Sequence, residues 1–471
     1  MSDTKIYASQ KYVTQYVGER QPLIYQNTIV FASQWNNSTT YQDYPYEAIV
    51  QLDGITEDYM PEVSFLQSDA VTYMFGPNAK SNNGSLTIYA MNKPSKAIVI
   101  PTILCTIGIQ LSTLSLNDIP WDVISEFASS DMASAIWSVG DTKAVHVSGT
   151  VGTLPIDQTL YVYILGFNHN GSIGIDFGTF KTAESDGVDV ALVDGNYGSY
   201  SSDGTKYFNV HHWGMDNYGG WAGCDLRYDV LGSTNIPPSR YGYAPSSGRT
   251  GYNASSTCAT NPVANTLMAA LPSELRSVMT PMIIYTDNVA GGTDVEINIT
   301  ATIDYLPLLA EFEIFGKRTY ANSYEQNYQM QYEYYSIGNS SQKYNYANVN
   351  NAINWYERSP WFKQSYNFCY VRNYEGRPDN STAWFSNGLA PIFRVGAMPI
   401  ITFTINEKEH KATFGMTWAE WCDSKYNTLG LSVDEDGMMI NDDGDVIYSD
   451  KAVYSNAFIE IDKAYGLDSP I

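Results

Sequence analysis

The stretch Trp355-Tyr356-Glu357-Arg358-Ser359-Pro360 decides the prediction of the fold, together with residues 367–371 (Asn-Phe-Cys-Tyr-Val) and 388–395 (Gly-Leu-Ala-Pro-Ile-Phe-Arg-Val). Short apolar runs of this kind, bounded by Asn, Ser and Gly, are typical of strands in a β-rich protein. We therefore predict that their large apolar members fill a core. Those members are Trp355, Phe368, Val371, Ile392, Phe393 and Val395.

Between these strands lie large aromatic residues and flexible polar residues. Twelve of the 38 tyrosines fall between Tyr320 and Tyr374, and Tyr, Asn and Ser are the residue types that enrich binding surfaces. The segment is therefore predicted to be a recognition surface, the alternative being a Tyr/Asn-rich surface loop with no partner. The predicted receptor-binding residues are Trp361, Phe362, Gln364, Tyr366, Asn367, Tyr370, Arg372, Asn373, Tyr374, Asn380, Trp384, Phe385 and Asn387.

The charge balance excludes several classes of partner. The 471 residues carry 50 Asp and Glu against 26 Lys and Arg, a formal net charge of -24. Nucleic-acid binding needs a basic footprint, and anionic membranes attract basic segments, so neither is expected as a partner. The longest apolar run, residues 97–109, is too short to span a bilayer. Met1 to Gln21 contain no apolar core of a secretory signal.

The pattern along the chain predicts a multidomain, β-rich α+β protein. Residues 1–21 are predicted to be an arm or anchor, and residues 22–109 an antiparallel β-sandwich made of short strands separated by Asn, Gly, Pro and Asp. Residues 110–398 form the main α+β domain, and residues 399–471 a small α+β module.

Individual elements follow from periodicity and capping. Strands are predicted at residues 23–25, 28–31, 46–52, 85–90, 97–100, 145–150, 159–167 and 401–405. A helix is predicted over 121–135 with Asn117 or Asp118 as its cap, and a second helix over 264–279. A third begins near Trp418, with Thr417 as its cap. The Gly/Tyr/Asn/Ser tracts between residues 195 and 260 are predicted to be long loops, which are usually functional or flexible.

A search for catalytic chemistry finds no complete motif. The five histidines show no triad signature, and no nucleophile elbow, H-E-x-x-H or phosphate-binding loop occurs. The five cysteines are scattered without a C-x-x-C pair, so they are predicted to be buried free thiols. We predict no catalytic residue and no cofactor. A paired-carboxylate glycosidase stays open as an alternative, because sequence does not give carboxylate separations.

Three patterns share some features with metal sites. His211-His212 beside Trp213 has no third ligand at a recognised spacing. The acidic turns 434–437 and 442–445 lack the ligand spacing of a calcium-binding hand and are read as hairpin turns. Arg377-Pro378-Asp379-Asn380 is similar to the calcium-binding motif of animal lectins, but it has Arg at the position where those lectins have an acid or amide that binds calcium. We therefore predict no metal.

Several motifs occur in the order found in a family of phage structural proteins and surface proteins of gut bacteria. They are Trp221 to Arg227, Leu271 to Arg276, Leu308 to Gly316, Trp355 to Pro360 and Gly388 to Val395. Their closing pattern is similar to the C-type-lectin-like fold, which is shared by formylglycine-generating enzymes and by the variable proteins of diversity-generating retroelements. The resemblance covers residues 110–398. The N-terminal segment resembles attachment modules of phage fibre or decoration proteins, and the C-terminal module resembles one repeated in phage and cell-surface proteins.

The resemblance implies a non-enzymatic protein of the virion surface, on a tail fibre, a head fibre or the capsid. It would bind a host-surface glycan or protein through the aromatic residues, and virion structural proteins through its N-terminal region. A homo-oligomer is expected, made in the host cytoplasm and released by lysis. The alternatives are a capsid or tail decoration protein with no receptor role, and a formylglycine-generating type of enzyme, for which Cys369 would need a redox partner.

Overall fold

The computed structural model describes residues 22–107, 115–233, 257–405, 408–414, 418–422, 424–427, 432–433, 438–440 and 446–449. It is β-rich and contains several separate sheets. The chain forms two compact units that divide between Leu114 and Ser115. The predicted arm 1–21, the cap Thr417 and the acidic turns 434–437 and 442–445 lie outside the described residues.

The described part of the first unit contains seven strands and one α-helix. They are β1 (Leu23–Val30), β2 (Trp35–Asn37), β3 (Tyr46–Gln51), β4 (Tyr59–Ser64), α1 (Gln67–Tyr73), β5 (Lys80–Asn82), β6 (Ser85–Ala90) and β7 (Ile98–Ile107). The five strand segments predicted in this region fall on β1, β3, β6 and β7, so these predictions are confirmed.

The strands of the first unit form two antiparallel sheets, with the orders β1-β7-β4 and β2-β3-β6-β5. Alternate residues of both sheets enter one hydrophobic core, to which Ile98 and Ile103 contribute from one sheet and Trp35 and Leu86 from the other. Burial of large aliphatic and aromatic side chains is the main stabilising contribution for such a pair of sheets.

The second unit contains the remaining strands, most of them short. They are β8 (Thr142–Val151), β9 (Leu154–Phe167), β10 (Gly174–Lys181), β11 (Val190–Ala191), β12 (Met279–Thr280), β13 (Met282–Asp287), β14 (Ile299–Asp304), β15 (Lys343–Asn345), β16 (Asn348–Ile353), β17 (Trp355–Pro360), β18 (Asn367–Val371), β19 (Pro378–Thr382), β20 (Ile392–Gly396), β21 (Ile400–Ile405), β22 (Lys408–Thr413), β23 (Ser432–Val433), β24 (Met438–Ile440) and β25 (Val446–Ser449).

Its helices are also short. They are α2 (Trp121–Ser129), α3 (Gly220–Gly223), α4 (Asp225–Asp229), α5 (Thr257–Thr260), α6 (Leu267–Ala270), α7 (Ser273–Arg276), α8 (Glu311–Phe315), α9 (Glu333–Ser336) and α10 (Trp418–Cys422).

The largest sheet of the second unit has the order β12-β20-β10-β9-β8. β8 and β9 form a long hairpin, and both lie where strands were predicted. Phe177 on β10 stands opposite Phe393 on β20, and their rings stack with centroids 5.1 Å apart. The Trp121 ring of α2 meets both phenylalanines edge-on. This cluster joins the start of the second unit to strands β10 and β20 of its largest sheet.

Smaller sheets complete the second unit. Their orders are β11-β15-β16, β13-β14, β17-β18-β19, β21-β22 and β23-β24-β25. The six residues predicted to fill the core near β17, β18 and β20 are at most 1% exposed, which confirms that prediction.

Two helix predictions need correction. The cap of α2 is Pro120, without a side-chain cap bond. Asn117, one of the two predicted caps, instead accepts a hydrogen bond from the backbone N–H of Ala144. The helix expected over 264–279 is two four-residue helices, α6 and α7, because Leu271 is extended before Pro272. A residue that precedes proline disfavours helical backbone, which accounts for the break.

Buried ion pairs hold the irregular parts of the second unit together. Arg358 makes a bidentate pair with Glu313, with two distances of 2.6 Å. The backbone amide of Ala310 donates to the same carboxylate. The ion pair places α8 against β17. Arg394 and Asp176 link β20 to β10 in the same bidentate way.

The motif around Trp221 has a similar structural role. Arg227 Nε and Trp221 Nε1 both donate to the carboxylate of Asp304, at 2.6 and 3.0 Å. A buried charge needs such a partner, because losing solvation costs several kcal/mol per ion. The motifs that carry the family resemblance therefore include residues that build the scaffold.

Candidate aromatic recognition surface

The predicted recognition residues lie around the sheet β17-β18-β19. β17 is buried throughout, and β18 is buried except for Tyr370. The edge strand β19 is half-buried along its whole length. β18 separates the loop 361–366 from the turn 372–377 by about 17 Å, the length of five extended residues. The predicted residues therefore fall at two opposite ends of this sheet.

The end formed by the turn 372–377 is polar and exposed. Arg372, Asn373 and Tyr374 are all exposed, Tyr374 by 64%. The guanidinium of Arg372 lies 3.8 Å from Asp379, and so long a contact between an exposed and a half-buried group contributes little stability. The backbone of Asn373 is held by the side chains of Asn354 and Gln342.

The other end carries a cluster of exposed aromatic rings. Tyr200 meets Trp384 and Phe385 edge-on, with centroids 6.1 and 4.9 Å apart. Tyr200 is 65% exposed, and the other two are half-buried. The backbone of Tyr366, another exposed tyrosine, accepts a hydrogen bond from Ala383 N–H. We call Tyr200, Trp213, Tyr366, Trp384 and Phe385 the aromatic surface.

Sequence reasoning missed two members of the aromatic surface, Tyr200 and Trp213. They belong to residues 193–219, which contain no helix and only one isolated bridge, between Tyr200 and Phe385. Their signal was the Gly/Tyr/Asn/Ser composition of the tract after residue 195, which was predicted to be a long functional or flexible loop. The contact with residues 383–386, nearly two hundred positions away, has no sequence signature.

Gly204 gives the Trp213 ring its position. A Cβ atom at Gly204 would lie 1.9 Å from a ring atom of Trp213, and Gly204 has a φ of +83°. Only glycine combines this backbone conformation with so close an approach. Its N–H donates to the carbonyl of His212, and His211 N–H donates to Ala383, so this part of the loop lies against the sheet end.

Buried polar side chains fix the irregular segment, residues 193–219. The carboxylate of Asp194 accepts hydrogen bonds from the N–H of Asn196, the N–H of Phe208 and the hydroxyl of Ser386. Burial raises the pKa of Asp194, and these donors partly offset that effect. Asn209 donates to the carbonyls of Ser201 and His211. The rings of the aromatic surface are thus held by a framework of buried hydrogen bonds.

A second aromatic group lies beside the loop 361–366. The Trp361 ring meets Tyr320 edge-on at 5.8 Å. The guanidinium of Arg318 lies 4.4 Å from the centre of the Phe362 ring, within cation–π range. The carbonyl of Gln364 accepts a bond from Asn217, which also donates to the carbonyl of Asn367. This loop is therefore tied to residues 217 and 318–320.

The prediction is wrong for two recognition residues, because the structure buries them. Asn387 is fully buried, and Asn367 is 8% exposed with its amide donating to Asn380. Neither side chain can present a face to a large partner. Tyr370 and Asn380 are half-buried, and the Tyr370 hydroxyl donates to Asp379. Asn387 and Asn367 therefore belong to the buried framework, and Tyr370 and Asn380 lie at its edge.

No grouping of three or more His, Cys, Asp or Glu side chains suited to a metal occurs within the described ranges. His212 contacts the carboxylate of Asp229 at 3.3 Å and the carbonyl of Tyr207 at 3.1 Å, so its ring is part of the loop framework. Cys369 is a buried free thiol, and burial raises its pKa well above the ordinary value. A thiol held in this form is a poor nucleophile.

The chain was compared with family models, curated proteins and solved structures, and nothing matches it in any of the three. None of the helices in the described part of the chain is long and apolar enough to cross a bilayer.

Proposed function

We propose that this chain is a non-enzymatic recognition protein of a phage virion surface, and that it binds a host-surface glycan or protein through the aromatic surface. The observation that carries the proposal is the exposure of Tyr200, Trp213 and Tyr366 beside Trp384 and Phe385, on a framework of buried hydrogen bonds. Large rings with one polar tip, held in place before binding, lose little entropy when a partner covers them.

The phage assignment rests on the family resemblance of residues 110–398. In this proposal the first unit is a β-sandwich that attaches the protein to virion structural proteins, and the pair of antiparallel sheets with one core supports that role. The central part is proposed to have the C-type-lectin-like fold, in which a fixed scaffold presents changeable loops. The buried ion pairs Arg358–Glu313 and Arg394–Asp176 are the kind of scaffold that this arrangement requires.

The test is retention of the labelled full-length chain on a panel of intact bacterial strains. We expect saturable binding to at least one strain and a loss of ten-fold or more in affinity for the double variant Tyr200→Ala/Trp384→Ala, since hot-spot rings contribute about 2 kcal/mol or more each. The matched control is Tyr374→Ala, because Tyr374 is 64% exposed, like Tyr200 at 65%, but lies at the other end of the sheet.

Two results would contradict the proposal. Equal loss of binding in the Tyr374→Ala control would place recognition at the turn 372–377 instead. Absence of binding by the folded chain to every strain, even when displayed multivalently, would favour a decoration role without a receptor.

A further inference from the structure

Two lysines share one aspartate in the second unit, and the proposed function uses none of the three. The ammonium nitrogen of Lys181 lies 2.8 Å from Oδ1 of Asp189, and that of Lys343 lies 3.9 Å from Oδ2. The side chains of Lys181, Asp189 and Lys343 are 16%, 11% and 2% exposed. Two ammonium groups at one carboxylate leave a positive charge that is not balanced among these side chains, and burial disfavours it.

The backbone places Asp189 and Lys343 side by side. β11 and β15 are parallel, and Val190 pairs with Tyr344. Asp189 and Lys343 each precede one of these partners, and the carbonyl of Asp189 accepts a hydrogen bond from the N–H of Tyr344 at 2.9 Å. Side chains at matching positions of paired strands point to the same face of the sheet. The carboxylate and the amine therefore meet, although the two residues are far apart in sequence.

Aromatic rings enclose the amine of Lys343. Its nitrogen lies 5.3 Å from the centre of the Tyr163 ring and 5.2 Å from that of the Trp355 ring. It donates a hydrogen bond to the hydroxyl of Tyr163 at 2.9 Å. Burial lowers the pKa of Lys343 to about 8, an effect that Asp189 opposes and Lys181 increases. The amine therefore reaches its uncharged, nucleophilic form more readily than that of an exposed lysine.

Different groups hold the two oxygens of the Asp189 carboxylate. The ammonium of Lys181 contacts Oδ1, where it can stabilise negative charge that develops on that oxygen. The hydroxyl of Tyr334 lies 3.1 Å from Oδ2 and 3.3 Å from Oδ1, and it can donate to either oxygen. Lys343 approaches from the side of Oδ2. One oxygen is thus held by a cation, while the other faces the amine.

We propose that Lys343 and Asp189 condense to an amide bond within the folded chain. A proton passes from the ammonium of Lys343 to the carboxylate, which gives a neutral amine and a neutral acid. The nitrogen then attacks Cγ, and Lys181 stabilises the charge that develops on Oδ1. The bond between Cγ and Oδ2 breaks, and Oδ2 leaves as water with a proton from the nitrogen. Amine and acid thus become amide and water, and no other reactant is needed.

The geometry is close to what the attack requires, since reacting atoms about 3–3.5 Å apart are productive and the amine lies 3.9 Å from the carboxylate. The amide bond closes residues 189–343 into one covalent loop, which includes Tyr200 and Trp213 of the aromatic surface. Loop closure lowers the entropy of the unfolded chain, and more so for a long loop. The bond would therefore stabilise the second unit. This inference does not rest on the receptor role.

The test is mass spectrometry of the folded full-length chain. We expect an intact mass that is lower than the sequence mass by one water molecule, and a branched peptide that joins residues 189 and 343 after digestion. Lys343→Arg keeps the positive charge but has no amine to form the amide, so this variant should show the full mass. The internal control is the pair of Lys96 and Asp69, which should stay unlinked because Lys96 is 60% exposed, although its nitrogen lies only 2.7 Å from the carboxylate.

A folded wild type with the full sequence mass and no branched peptide would overturn the proposal, because the three side chains would then form only an ion pair network. A branched peptide through Lys181 would overturn the assignment of Lys343 as the nucleophile. Lys181→Met should lower the linked fraction of freshly synthesised protein, and an unchanged fraction would contradict the role given to Lys181. The wild-type measurement decides the proposal even if a variant does not fold.

Discussion

Arg358 shows how one buried charged residue can connect several segments of the second unit. Its guanidinium is fully buried and bonds Glu313, the hydroxyl of Thr286 and the carbonyl of Leu308. Sequence periodicity predicted the burial of its neighbour Trp355, but it could not predict that of Arg358. Arginine is almost never fully buried unless it is paired, and the partner lies on a distant helix.

We expect Arg358→Ala to lower the free energy of unfolding by about 3–5 kcal/mol, because the carboxylate of Glu313 is left buried without its partner. Urea denaturation of the full-length chain measures this loss. The control is Arg372→Ala, because Arg372 is exposed and its 3.8 Å contact with Asp379 is long, so its loss should change stability by less than about 1 kcal/mol. Equal effects of the two substitutions would contradict the structural role given to Arg358.

Glu357 should make stability depend on pH. Both of its carboxylate oxygens are buried and lack a hydrogen-bond partner among the described residues. Burial raises the pKa of Glu357 well above the ordinary value of a glutamate, and the nearby Glu311 and Glu325 raise it further. The folded state therefore holds a proton that the unfolded state releases, so stability falls as pH rises from about 4.5 through the folded-state pKa.

Glu357→Gln removes this pH dependence, because an amide does not titrate. We expect the variant to be more stable than the wild type by more than about 1 kcal/mol at about pH 8, with a smaller difference at about pH 5. Denaturation of both proteins at the two pH values gives the comparison. A wild type more stable than the variant at the higher pH would show that Glu357 is ionised and paired in the folded protein.

At the scale of elements, strands were predicted better than helices. β8 and β9 follow from alternation alone, whereas the helix expected over 264–279 is interrupted at Pro272. The irregular segment 193–219 has no periodicity, since its hydrogen bonds go to buried side chains and to separate backbone groups rather than to a regular ladder. Its position against residues 383–386 is decided by tertiary bonds that local sequence does not encode.

Asp194→Ala should loosen this segment. The substitution leaves the N–H groups of Asn196 and Phe208 and the hydroxyl of Ser386 without an acceptor, at a cost of about 3 kcal/mol. Hydrogen exchange should accelerate across residues 194–211 while β8 and β9 keep their protection. Unchanged exchange in the segment would show that the carboxylate does not hold it.

At the scale of the whole molecule, the candidate site joins chain segments that are far apart in sequence. The segment 361–387 could be predicted from its aromatic and Asn-rich composition, but its division between two ends of a sheet could not. Only tertiary contacts place Tyr200 and Trp213 at the site.

The most direct measurement is hydroxyl-radical footprinting of the full-length chain, free and bound to the bacterial strain that retains it. The account predicts lower oxidation of Tyr200, Trp213 and Trp384 in the bound protein and unchanged oxidation of Tyr374. Protection of Tyr374 with no protection of Tyr200 and Trp384 would contradict the assignment of recognition to the aromatic surface.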